Sequence, residues 1–187
     1  MTFIAIGCFA FALLFIFDLN KLFYYNKSFT FCFPIGVALL CFSTIGIIFG
    51  SYPQWNVPLS SRFLFGTLSA ISLLLVVYTL FFALPFRKTY CELKNTNTVI
   101  DTGMYALCRH PGVIWFFFFY LFLWLASGKT MMMLAGIVWT VMDIIHAYIQ
   151  DRWIFPKTLN DYEQYKDKAP FLIPNLNSIR KCMATLI

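Results

Sequence analysis

The sequence predicts an all-α integral membrane protein of about five transmembrane helices, with a C-terminal amphipathic tail closing a pocket on the cytoplasmic side. Three observations predict it. Of 187 residues, 60% are hydrophobic and only 12% are charged, against about a quarter charged in soluble domains. Apolar runs long enough to cross a hydrocarbon core, about 20 residues each, recur along the chain. Charges and turn residues fall between those runs.

The first run, residues 2–17, lacks a basic n-region and leads into Asp18-Leu19-Asn20-Lys21 without a small-residue cleavage site. It reads as a retained span rather than a signal peptide. Further spans are expected at 29–50, 63–86, 112–127 and 130–149. Residues 1–187 thus form one membrane domain. Residues 1–86 supply three spans, and residues 87–187 supply a loop, a helical hairpin and the tail. The fourth span covers only about 24 Å against a core of about 30 Å, which draws Arg109 and His110 to the headgroup level or slightly below it. Only Gly128-Lys129 separates the last two spans, so they are expected to form a tight antiparallel hairpin.

Lys and Arg alternate between rich and poor connections. Lys21 and Lys27 lie in the first and Arg62 alone in the second. Arg87, Lys88, Lys94 and Arg109 lie in the third, Lys129 alone in the fourth, and six lie in the tail. The positive-inside rule then puts the N-terminus outside, with the 87–111 loop and the tail from Gln150 both cytoplasmic. The net charge of +6 belongs to topology and anionic headgroups rather than to nucleic acid, which would need a basic stripe or patch. The cysteines show no C-x-x-C spacing, so neither a zinc site nor a disulfide framework is expected.

Polar chemistry concentrates in three places. In the loop Asp101 to Pro111, a turn glycine, a tyrosine and the Arg109-His110 pair precede a proline suited to a first helical turn. Such a helix start, with its free N–H groups, is a site for a carboxylate or phosphate, or simply an anchor to headgroups. Asp143 is the one acid inside an expected span, and a charge there must be paired or face a polar cavity. Helical spacing puts Asp143, His146 and Gln150 on one face, with Asp151 beside it. In the tail, aromatic and charged residues alternate around Pro156, as in a helix lying on a membrane. Pro170, Phe171, Leu172, Ile173 and Pro174 form a stiff apolar strap.

The order of these motifs resembles the isoprenylcysteine carboxyl methyltransferase family and its phospholipid N-methyltransferase relatives. The resemblance covers about the last 90 residues. It is carried by Thr102-Gly103, Tyr105, Arg109-His110-Pro111, Gln150-Asp151, Asp161-Tyr162, Tyr165, Ala169-Pro170 and Ile173-Pro174. It implies S-adenosylmethionine as cofactor and a small isoprenoid or lipid-like methyl acceptor. Tyr105, Arg109, His110, Pro111, Gln150, Asp151, Pro170, Ile173 and Pro174 would enclose the cofactor. His110 would face its carboxylate, with Gln150 and Asp151 facing its ammonium or ribose. Asp143 or His146 would orient the acceptor or take its proton, and Arg152 is a third candidate catalytic residue. The family pattern is broken at Val113, Trp115 and Gln150, where a Tyr, a Gly and an acid are usual. Two alternatives stay open: an NADPH-dependent sterol-type reductase, and a catalytically degenerate relative that binds lipid or a partner.

Overall fold

The computed structural model describes residues 1–83 and 97–185. Arg87, Lys88, Cys91, Lys94 and the last three residues of the third expected span lie outside that range. The described chain is all-α but for one two-residue strand pairing and an isolated antiparallel bridge between Gln54 and Lys129.

Four helical segments are long and apolar enough to cross a bilayer. The first is α1 (Thr2–Leu19), which continues through a π-helical turn to Tyr24. Next come α2 (Cys32–Phe49), preceded by a 3₁₀ turn, and α3 (Leu59–Val77), extended by a π-helical turn to Phe82. After the short α4 (Met104–Leu107) comes α5 (Pro111–Ser127), apolar but only 17 residues long. The fourth long segment is α6 (Thr130–Ile149), which runs into a π-helical turn at Gln150–Ile154. The observed bounds stay within a few residues of the expected spans. The π-turns carry α1 and α6 further than apolar runs alone suggest.

The ends follow from local chemistry. Pro111 opens α5, and Gly128, at φ 68°, closes it in the left-handed region where a side chain is strained. The hairpin to α6 is therefore as tight as Gly128-Lys129 requires. The Lys129 ammonium donates to the carbonyls of Ile47 and Ile48 in the last turn of α2 and to that of Gly50 just past it, which also accepts from the Tyr52 N–H. At the opposite end, the buried Asn20 donates to the Asn26 carbonyl at 2.9 Å and accepts from its N–H at 2.8 Å, closing the turn between α1 and α2.

The core gathers Phe11, Ile47, Tyr120, Met132, Ala135 and Trp139 from α1, α2, α5 and α6. Trp139 is fully buried because Gly7 gives it room, and its indole N–H donates to the Ile4 carbonyl at 3.2 Å. A Cβ on Gly7 would lie 2.2 Å from the indole ring. Tyr120 satisfies its hydroxyl on Thr44 at 2.7 Å. The outer faces of the long helices carry Phe9, Phe42, Phe49, Phe63, Leu74 and Ile145, all largely exposed. An apolar core wrapped in an equally apolar surface suits lipid, not water.

The tail, expected as an amphipathic helix broken at Pro156, is divided further. It breaks into α7 (Phe155–Thr158), α8 (Tyr162–Lys168) and α9 (Leu176–Thr185). Strand β2 (Leu159–Asn160) lies parallel to β1 (Asn97–Thr98), joining tail to loop. Tyr162, Tyr165 and Ala169 make a second small core there. Helix α9 packs on α4, with Lys181 bonded to Asp101 at 2.9 Å and the Gly103 N–H donating to Thr185 Oγ1 at 2.8 Å.

The close approach of α1 to α6 gives a direct test. Gly7→Ala should cost about 1–3 kcal/mol by overpacking Trp139, lowering the thermal midpoint in detergent. Gly66→Ala, with nothing within 4 Å of its added methyl, should lower it little or not at all.

Candidate functional site

One end of the bundle holds two polar clusters where the sequence suggests a single stripe. Loop and tail meet in the first. Gly103, at φ 58° and ψ −133°, adopts a backbone open to glycine alone and turns the chain into α4. Cys108 is then fully extended, delivering Arg109 and His110 to the start of α5.

Arg109 and Asp151 form its centre. The guanidinium Nε donates to Oδ1 at 2.7 Å and Nη2 to Oδ2 at 3.2 Å, a two-pronged pair. The third arm, Nη1, donates to the carbonyls of Lys166 at 3.1 Å and Ala169 at 2.8 Å. The Arg109 backbone N–H donates to the Pro170 carbonyl at 2.9 Å. Tyr162 adds its hydroxyl to Asp151 Oδ1 at 2.7 Å, and Tyr165 donates to the Tyr105 carbonyl at 2.6 Å. One half-buried cation thus ties the end of α6, α8 and the start of the strap to the loop.

His110 lies beside this pair, stacked on Phe155 with centroids 5.8 Å apart and edge-on to Phe171 at 5.2 Å. Its Nε2 sits 3.5 Å from Asp151 Oδ1, too far for a well-formed hydrogen bond, and has no other partner among the described residues. Burial holds the imidazole pKa below its ordinary range even with Asp151 adjacent, so the ring is neutral at pH 7.

The second cluster lies between α1 and α6. Asp18 Oδ2 accepts from His146 Nε2 and from Gln150 Nε2, both at 2.7 Å. His146 and Gln150 do share a helix face, as their spacing requires. Asp18, however, is the acid that completes their cluster. The sequence reading puts it just past the first span, but α1 runs through Leu19 and buries it. Asp143, expected to lead the stripe, is half-buried and has no hydrogen-bond or ion-pair partner among the described residues.

Several expected contacts are absent from this arrangement. Gln150 and Asp151 grip different partners, because successive residues on a helix point about 100° apart. Arg109 is neutralised by Asp151 and so is not free for an incoming anion. The Tyr105 hydroxyl donates to the Thr79 carbonyl at 3.0 Å, binding the loop to the end of α3. Arg152 is exposed and pairs with no described residue. Ile173 is 84% exposed and Pro174 borders a shallow surface concavity with Asn175 to Asn177 and Ile179, so neither covers His110. Pro111 is buried in the first turn of α5, and Pro170 contributes its carbonyl only. A second shallow concavity, about 180 Å³, lies between the loop and the tail, lined by Val99 and Asp101 on one side and by Asp161, Tyr165 and Lys168 on the other, and His110 is not among its lining residues.

Asp18 and Tyr162 are the site residues that sequence reasoning missed. An acid at the end of an apolar run facing a His in another span is the only signal for Asp18. Tyr162 was legible as part of a motif, but its bond to Asp151 was not. No protein-family model, curated protein or solved structure significantly matches the chain.

The two clusters make separable predictions. Arg109→Lys keeps the charge but loses the fork and the tail carbonyls, and should cost about 2 kcal/mol. Trypsin should then cut faster at Lys157, Lys166 and Lys168. Asp18→Ala strands two half-buried donors, so the thermal midpoint in detergent should fall by the equivalent of about 1–3 kcal/mol. Arg152→Ala should leave both readouts near wild type.

Proposed function

We propose that the protein is a multi-pass membrane methyltransferase that uses S-adenosylmethionine on a small isoprenoid or lipid-like acceptor. One observation carries the reading beyond the motif order. The Nε2 of His110 is buried and without a well-formed hydrogen bond, in an aromatic niche beside Asp151, where the loop meets the tail. A buried polar atom without a partner is costly and calls for an explanation. A bound ligand group is one.

The residues fit this cofactor in kind. The His110 ring can donate from Nε2 to a carboxylate, and Phe155 and Phe171 offer faces to an adenine or a sulfonium, while Asp151 is already committed to Arg109 and Tyr162. Room for it depends on the Ala169–Pro174 strap lifting from the loop. S-adenosylmethionine, when bound, supplies the methyl group. The chain's own residues supply position and dryness, through which catalysis of this kind chiefly works. His146 has its Nε2 held by Asp18, and its Nδ1 makes no hydrogen bond to a described residue. It can accept a proton there from an amine or hydroxyl acceptor. A carboxylate acceptor would need no such base.

The topology belongs to the same proposal. Helix α5 serves as a fifth, short span, the N-terminus lies outside, and the loop and tail face the cytoplasm. This puts Lys21, Lys27, Arg109 and the tail cations on the inner side.

A second reading has its own observation in favour. The Arg109 guanidinium is saturated by Asp151 and the carbonyls of Lys166 and Ala169, as expected of a degenerate relative in which the clasp has become structural. Titration with S-adenosylhomocysteine separates the two. The methyltransferase reading expects a raised thermal midpoint in the detergent-solubilised wild type and a loss of at least about tenfold in affinity, about 1.4 kcal/mol, in His110→Ala. No response from folded wild-type protein overturns it. If Gln150→Glu then created binding that wild type lacks, the degenerate reading would hold.

A further inference from the structure

Helix α9 has two faces, and only one is covered. Ser178 and Cys182, one turn apart, are buried against the loop. Lys181 and Thr185 complete that side through Asp101 and Gly103. On the opposite side Leu176 is 74% exposed and Met183 62%, with Ile179 beside them and Ile173 of the preceding strap 84% exposed. Positions 176, 179 and 183 follow the i, i+3, i+7 spacing of one helical stripe. Arg180 stands exposed along its edge.

Two independent anchors set the depth of this stripe. Through the strap, Phe171 meets Tyr148 in the last turn of α6 edge-on at 6.4 Å, and Tyr148 meets Trp153 at 6.0 Å. Tyr148 and Trp153 are both half exposed at the end of a span, where amphipathic aromatic residues settle at the membrane–water boundary. Through the loop, α9 packs on α4, which ends four residues before α5 begins. Helix α5 is short for a hydrocarbon core of about 30 Å, so its start is pulled toward the lipid. Both routes put α9 at headgroup depth, continuous with the exposed apolar surface of α6.

We propose that α9 is an interfacial membrane-binding helix, with Leu176, Ile179, Met183 and Ile173 inserted at the boundary between headgroups and acyl chains and Arg180 among the phosphates. The occupant of the exposed face is the same bilayer that the long helices cross. This matches a helix with one apolar stripe, a polar opposite face and a basic edge. Its covered face bonds to Asp101 and Gly103, so lipid contact also steadies the loop that carries Arg109 and His110. The assignment is independent of any catalytic activity.

Site-specific photo-crosslinking in full-length protein reconstituted into phosphatidylcholine–phosphatidylglycerol nanodiscs tests it. A p-benzoylphenylalanine is placed at Leu176, Met183 or Asn177, one per variant. All three positions are exposed, so the packing of Ser178 and Cys182 is undisturbed. Intact-mass analysis should find lipid adducts at 176 and 183, at yields about tenfold above position 177, which points away from the stripe. Equal yields at all three positions, no lipid adduct, or adducts to a second copy of the chain would each overturn the assignment. A complementary readout uses Leu176→Asp with Met183→Asp. Amide exchange in residues 101–110 should rise in nanodiscs, and unchanged exchange there would remove the coupling to the loop.

Discussion

A carboxylate taken out of water must find cations or donors close by, and that requirement organises one end of this bundle. Asp151 meets it with the Arg109 fork and the Tyr162 hydroxyl; Asp18 meets it with His146 and Gln150. Once Asp151 is paired, the loop, the end of α6 and α8 cannot separate without stranding a buried charge, a loss of about 3–5 kcal/mol. The tail is therefore part of the fold rather than an appendage to it. The same pairing defines the niche of His110, since Phe155 and Phe171 are carried in by the segments that Arg109 holds.

At the other end, satisfaction comes from the backbone. Lys129 reaches the carbonyls at the end of α2, and the α5–α6 hairpin closes on Gly128. No water is needed to satisfy these groups, which suits a position near lipid. Between the two ends, Trp139 and Tyr120 fill the core and place their single polar atoms on Ile4 and Thr44. The helices thus meet through close contact and a few hydrogen bonds. Their outer faces are as apolar as their inner ones, so burial of greasy surface cannot by itself choose how they pack.

Much of the fold was legible in the sequence because it depends on properties local in the chain. Run length set the long helices, Pro111 and Gly128 set the bounds of α5, and the two-residue connection set the hairpin. For the tail, the sequence suggests an amphipathic helix broken at Pro156 and a proline strap. Its real division into α7, α8 and α9 depends on the β1–β2 pairing and on the carbonyls of Lys166 and Ala169 turned toward Arg109. Of the candidate site, spacing correctly put His146 and Gln150 on one face. It could not say that Asp143 has no hydrogen-bond or ion-pair partner among the described residues while Asp18 receives both. Nor could it say that Gln150 and Asp151, adjacent in sequence, serve different clusters.

By itself the sequence determined that the chain is helical, apolar inside and out, and polar mainly at its connections, because backbone hydrogen bonding and hydropathy act over one or two turns. Only the tertiary structure decided which polar groups neutralise one another. Asp18 and His146 are 128 residues apart, and Arg109 and Asp151 are 42 apart. Hydrogen-bonded pairing requires contact at about 3 Å, and no pattern along the chain measures that distance.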